Sequence, residues 1–262
     1  MTVTNQEAWI RRFWAGADDR HSLLCFPHAG GSASFFHKFS VALSAGTEVL
    51  AVQYPGRQDR RAEALVDDIH ELAGQVAAVL TSRPDRPKAF FGHSMGAIIA
   101  FEVARLLERS GCGPVLLFAS GRRAPSRYRH ETVHLRDDQG LVEEIRALSG
   151  TDQTLLSDED VLAMILPALR ADYRAIETYV CPAGPPLRCP IVAMVGDSDP
   201  RVSLDDAGAW RSHTSSDFEL RVFSGGHFFL DDRHGEVAAA VTEILDGYSA
   251  GTFRGDREST PP

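Results

Sequence analysis

Gly92-His93-Ser94-Met95-Gly96 places a serine between two glycines. It follows the apolar run Ala89-Phe90-Phe91 and opens a stretch with apolar residues at helical spacing: Ala97, Ile98, Ala100, Phe101, Ala104 and Leu107. No other segment constrains the fold as much. A strand that passes directly into a helix must turn sharply, and glycine on either side removes the Cβ clashes that would block the turn. The serine hydroxyl is left exposed at the strand end. The first N–H groups of the helix point at any oxyanion formed there. Ser94 is therefore a candidate nucleophile.

Around this motif, apolar runs alternate with helical patterns, which predicts a mostly parallel central sheet flanked by helices. Strands are expected at Ser22–Phe26, Glu48–Gln53, Lys88–Phe91, Val115–Ala119, Ile191–Val195 and Glu219–Phe223. Helices are expected at Phe35–Leu43, Ile69–Thr81, Met95–Arg109, Leu204–Trp210 and Gly235–Leu245. Residues 1–248 read as a single α/β domain, a size at which one core suffices. Residues 249–262, rich in Gly, Ser, Thr, Pro and charge, are expected to be disordered. The N-terminal residues are polar, with Trp9, Ile10, Phe13 and Trp14 as isolated apolar anchors and no signal-peptide core. No stretch has transmembrane length. A soluble, cytoplasmic location is expected.

The net charge of −9 lacks the basic footprint that nucleic-acid binding needs. Cys25, Cys112, Cys181 and Cys189 form no C-x-x-C pair, so no metal site is expected and reduced thiols are the simplest state.

From about residue 122 to 186 the alternation stops, far longer than an ordinary connection. Leu141, Val142, Ile145 and Leu148 mark one short amphipathic helix. Ser157-Asp158-Glu159-Asp160 has the form of a capping box before Val161, Leu162, Met164 and Ile165. Pro167 is expected to end or kink that helix. A second pattern, Leu169, Asp172, Tyr173, Ile176 and Tyr179, follows it. This helical insertion reads as a lid over a substrate chamber.

A serine nucleophile needs a base, and the base needs an orienting acid. In α/β-hydrolases the chain order is serine, acid, histidine. Strand Ile191–Val195 runs into Gly196-Asp197-Ser198-Asp199-Pro200, so the acid is Asp197 or Asp199. Strand Glu219–Phe223 runs into Ser224-Gly225-Gly226-His227, which presents His227 as the base. His93 and His28 are rivals. His93 immediately precedes the serine, where its side chain should diverge and bond locally. For the oxyanion hole, the Met95 N–H is one donor. The loop Pro27-His28-Ala29-Gly30-Gly31 offers the second at Ala29.

Together these segments resemble type II thioesterases, the free-standing editing enzymes of polyketide and nonribosomal peptide synthesis. The matching segments are Phe26-Pro27-His28-Ala29-Gly30-Gly31, Gln53-Tyr54-Pro55-Gly56-Arg57, Phe91 to Gly96, Gly121-Arg122-Arg123-Ala124-Pro125, Asp172 to Tyr179, Gly196 to Asp199 and Gly225 to Phe229. They run in order from about residue 20 to residue 246. The resemblance implies an α/β-hydrolase fold with a helical lid insertion. It also implies Asp199 rather than Asp197 as the acid, and an oxyanion hole from Ala29 and Met95.

The implied activity is hydrolysis of short or aberrant acyl thioesters on acyl or peptidyl carrier proteins, in trans. No metal or organic cofactor is expected, because the phosphopantetheine arm belongs to the carrier-bound substrate. Arg122, Arg123, Arg127 and Arg129 form one arginine cluster, and Arg57, Arg60 and Arg61 form another. One of them is expected to dock the carrier.

Overall fold

The computed structural model describes residues 7–14, 20–43, 46–83, 89–148, 158–252 and 258–259. Lys88 and Ser157 of the elements expected above lie outside these residues.

The central apolar runs are strands because each is short, rich in bulky apolar residues and buried on both faces, as a covered parallel sheet demands. The strands are β1 (Ile10–Trp14), β2 (His21–Phe26), β3 (Thr47–Val52), β4 (Ala89–His93), β5 (Leu116–Ser120), β6 (Ile191–Gly196), β7 (Phe218–Phe223) and β8 (Glu258–Ser259). Among the described residues they form one sheet in the order β1-β3-β2-β4-β5-β6-β7-β8. Every pairing is parallel except that of β1 with β3. β4 lies centrally, with Phe91 opposite Cys25 of β2 and Phe118 of β5.

Alternate side chains enter opposite cores, as the pleat requires. Leu24, Phe26, Phe90 and Leu117 pack beneath α2 (Ile69–Thr81) and α3 (Met95–Arg109). Leu23, Cys25, Phe91 and Phe118 pack beneath α1 (His37–Leu43) and α8 (His234–Ser249). The Asp68 side chain caps α2 by accepting the Glu71 N–H at 2.9 Å. Between the sheet's last strands lie α6 (Leu204–Gly208), which continues as a 3-10 turn to His213, and α7 (Phe229–Asp232). Because β2 through β7 are parallel, the loops after β2, β4, β6 and β7 all emerge at one edge, where such sheets form their ligand crevice.

The insertion contains α4 (Asp138–Leu148) and α5 (Glu159–Thr178). Val133, Leu141, Val142, Ile145, Leu166 and Leu169 make a small core of their own. Farther along α5, Ala175 and Ile176 join the main core, as does Tyr179 just past its end. The Tyr179 hydroxyl donates to Glu102 of α3 at 2.6 Å.

The structure adds to three expectations. The helix expected to end or kink at Pro167 runs through it. The amide that proline lacks would have bonded the carbonyl of Ala163, and both residues are exposed, so water can serve that carbonyl. The N-terminal apolar anchors belong partly to an antiparallel edge strand, β1, pairing Ile10 with Val52 and Arg12 with Leu50. Its arginines hide the strand signal, yet charge suits an edge. Of the segment read as a disordered tail, residues 253–257 and 260–262 lie outside the described residues. Ser249 ends α8, and Glu258 and Ser259 pair with Leu220 and Arg221.

The strand-to-helix turn depends on close backbone approach. A Cβ on Gly96 would lie 2.0 Å from the Phe26 carbonyl oxygen, and one on Gly92 would lie 2.3 Å from the Gly96 oxygen. Gly96→Ala is expected to lower unfolding free energy by about 3 kcal/mol or more. Gly74→Ala provides the contrast, because that exposed position in α2 has nothing within 4 Å of an added Cβ. It should raise stability by about 0.5–1 kcal/mol. Urea denaturation of both variants checks the pair.

Candidate active site

β4 ends by delivering Ser94 into a left-handed backbone conformation, φ 54° and ψ −118°. Its N–H donates to the Ser120 carbonyl at 2.8 Å, and its own carbonyl accepts from Ala97 N–H at 3.0 Å. β6 delivers Asp199 and β7 delivers His227. His227 Nε2 lies 2.9 Å from Ser94 Oγ, and His227 Nδ1 lies 2.9 Å from Asp199 Oδ2. The Asp199 side chain is fully buried, and its other oxygen accepts the Arg201 N–H at 2.8 Å. Both carboxylate oxygens are thus occupied, which fixes the plane that the imidazole meets.

The structure separates the two acidic candidates. Asp197 is exposed and accepts the Gly225 N–H at 3.0 Å, so it shapes the turn while Asp199 faces the imidazole. His93 is fully buried and its Nδ1 lies 2.9 Å from Ser120 Oγ. His28 sits between the rings of Phe35 and Phe228, with centroids at 4.4 and 4.9 Å. Neither ring bonds Ser94. Burial first, then His227 and Arg57, hold the His28 pKa down to about 3. Burial, His227 and His28 depress that of His93.

The Ala29 and Met95 amides line the same cavity as Ser94 and His227, and among the described residues neither N–H has an acceptor. The cavity holds about 50 Å³. Leu148 of α4 and Tyr173, Ile176 and Glu177 of α5 form part of its wall. Arg122, Arg123, Arg201 and Glu131 also line it. Arg122 Nε is buried with no hydrogen-bond partner among the described residues. Burial first, and then Arg123, lower the Arg122 pKa to about 9.

The fold consumes several of the clustered guanidinium groups. Arg57 is buried and paired with Asp172, and Arg60 is buried, paired with Glu63 and stacked on the Trp9 ring at 4.1 Å. Arg123 is buried against Glu131, Arg129 pairs with Asp206, and Arg122 faces the chamber. Arg61 and Arg127 remain exposed. Closeness along the chain could not show which guanidinium groups the fold consumes. Sequence reasoning also missed Arg201 and Glu131, which pair across the chamber wall at 3.2 Å. Neither stands in a motif.

No group of three His, Cys, Asp or Glu residues gathers as a metal-holding set among the described residues. The four cysteines are free thiols. No helix among the described residues is long and apolar enough to cross a membrane.

A mostly parallel sheet with an insertion before β6, and a serine, aspartate and histidine that follow in that chain order and meet at one sheet edge, define an α/β-hydrolase. The chain belongs to the thioesterase domain family, whose model matches residues 21–245. It is 50% identical to a probable cadicidin biosynthesis thioesterase of Streptomyces griseus, over 90% of this chain and 66% of that protein. It is 48% identical to thioesterase PikA5 of Streptomyces venezuelae, over 90% of this chain and 85% of the relative. The solved structure of BorB, a type II thioesterase from the borrelidin biosynthetic cluster, superposes with a TM-score of 0.83 at 49% identity. That match covers 90% of this chain and 97% of BorB. The resemblance to type II thioesterases seen in the motifs thus extends over the whole domain.

The buried histidines carry a stability consequence. In the unfolded chain His28 takes up a proton below about pH 6.5, whereas in the fold it stays neutral to about pH 3. The unfolded state then binds more protons, so stability falls as pH drops through that window. His28→Phe, which keeps a ring in the same aromatic setting, should flatten the decline. Urea midpoints measured from about pH 7 to about pH 4 check this.

Proposed function

We propose that the protein is a serine thioesterase. It removes short or aberrant acyl groups from phosphopantetheinyl carrier proteins of a polyketide or nonribosomal peptide synthase. The observation that carries the reading is the unbroken hydrogen-bond line from Asp199 through His227 to Ser94, at 2.9 Å for each step. The relatives named as biosynthetic thioesterases support a thioester substrate.

In this mechanism Ser94 Oγ attacks the acyl carbonyl while His227 Nε2 takes its proton. Asp199 holds the imidazole tautomer and stabilises its cation. The Ala29 and Met95 N–H groups receive the oxyanion, each donor contributing about 100- to 1000-fold in turnover. The phosphopantetheine thiol leaves with the proton from His227. Water, activated by the same imidazole, then cleaves the acyl-serine. The route uses no metal or bound organic cofactor, and the phosphopantetheine arm is part of the substrate.

Arg127 is an exposed member of its cluster and is assigned to carrier docking.

Wild type should release free thiol from an acetyl- or propionyl-loaded carrier. Ser94→Ala should lower the rate at least about 10⁴-fold, and Asp199→Asn about 10²- to 10⁴-fold. Oxygen esters of the same acyl groups should turn over more slowly. Absence of release by folded wild type on a correctly loaded carrier would sink the reading.

Docking has its own check. Arg127→Glu should raise KM for the acyl-carrier several-fold while leaving turnover of a small free thioester unchanged. Equal losses on both substrates would remove Arg127 from the docking surface.

A further inference from the structure

The oxyanion loop is held from outside its own strand. Gly30 adopts φ +75°, and its N–H donates to Asp172 Oδ2 at 2.7 Å. Asp172 lies on α5, far along the chain, and is 1% exposed. The same carboxylate oxygen takes Arg57, from the loop after β3, in a buried ion pair. Arg57 is itself fixed, its Nη1 donating to the Pro55 carbonyl at 2.8 Å. Its own carbonyl accepts from Gln53 Nε2 at 3.2 Å. Gln53 Oε1 in turn accepts the Ala33 N–H at 3.0 Å, just past the oxyanion loop. Leu169, one turn before Asp172, closes on Gly30 so tightly that a Cβ there would lie 2.6 Å from Leu169 Cδ1.

One buried carboxylate therefore joins three segments, and its hydrogen bond reaches the amide next to Ala29. The Ala29 and Gly30 N–H groups belong to neighbouring peptide planes that share the Ala29 Cα. Fixing one plane restricts the other. A buried ion pair adds little stability over apolar packing of the same volume, so what distinguishes this one is where it places the amide.

We propose that Asp172 is a positioning residue for the oxyanion hole. Through Gly30, with Arg57 steadying the carboxylate, α5 sets the direction of the Ala29 N–H at Ser94. This rests on the proposed thioester hydrolysis. A misdirected donor weakens the transition state more than the bound substrate, so the effect falls on kcat rather than KM.

The test compares wild type, Asp172→Ala and Asp172→Asn on a small acyl thioester. It also measures their inhibition by a short trifluoromethyl ketone, which adds to Ser94 and carries an oxyanion. Circular dichroism establishes that each variant is folded. Asp172→Ala should lower kcat about 30- to 100-fold with KM within about twofold, and weaken ketone inhibition by the same factor. Asp172→Asn keeps an acceptor for Gly30 and should recover at least about fivefold of that loss, staying about threefold or more below wild type in both readouts.

Folded Asp172→Ala with wild-type kcat would overturn the proposal, as would a fall in kcat with unchanged ketone affinity. Should the alanine variant not fold, Asp172→Asn decides alone, and wild-type values in both readouts overturn the proposal. An inactive wild type would instead sink the thioesterase reading itself.

Discussion

The chain changes direction at Ser94 in a backbone conformation that non-glycine residues rarely hold, φ 54° and ψ −118°. Such a residue costs about 1–3 kcal/mol and persists only where its surroundings over-determine it. Here β5 accepts the Ser94 N–H, α3 donates to the Ser94 carbonyl, and β2 presses its last carbonyl against Gly96. These neighbours are the central strands and the most deeply buried helix of the molecule. The strain is thus carried where the fold is hardest to deform. The end of β2, from which the Ala29 loop leaves, and the start of α3 are in contact at Gly96.

Much of this was legible because it is local. Met95–Arg109 and Ile69–Thr81 are long amphipathic helices whose ends are marked, the first by the glycine-flanked serine and the second by Asp68. The central strands are continuous apolar runs, a pattern that only a doubly covered sheet explains. The candidate nucleophile and base sit in glycine-rich turns after such runs. The choice between Asp197 and Asp199 was not local. Two residues apart on one loop, they differ in burial and in what β7 brings toward them, Gly225 for one and His227 for the other.

What escaped the sequence depends on long-range pairing. β1 reads Ile-Arg-Arg-Phe-Trp, and its arginines became intelligible only beside Glu48 and Asp59. The burial of Arg57 has the same cause, because Asp172, far along the chain, is its partner. Proline at 167 misled in the opposite direction, because its penalty depends on whether water can reach one carbonyl, which composition does not reveal.

α5 resembles a beam clamped at one end. Beyond Pro167 it is tied to the body by Asp172, Ile176 and Tyr179. Before Pro167 it rests on the insertion's own small core, with Met164 61% exposed. A cantilever bends where its internal bonding is weakest, and the turn spanning Ala163 and Pro167 lacks one backbone hydrogen bond. Asp172, which holds the Gly30 N–H, and Leu162, which packs on the insertion's own core, thus lie on opposite sides of that turn of a single helix.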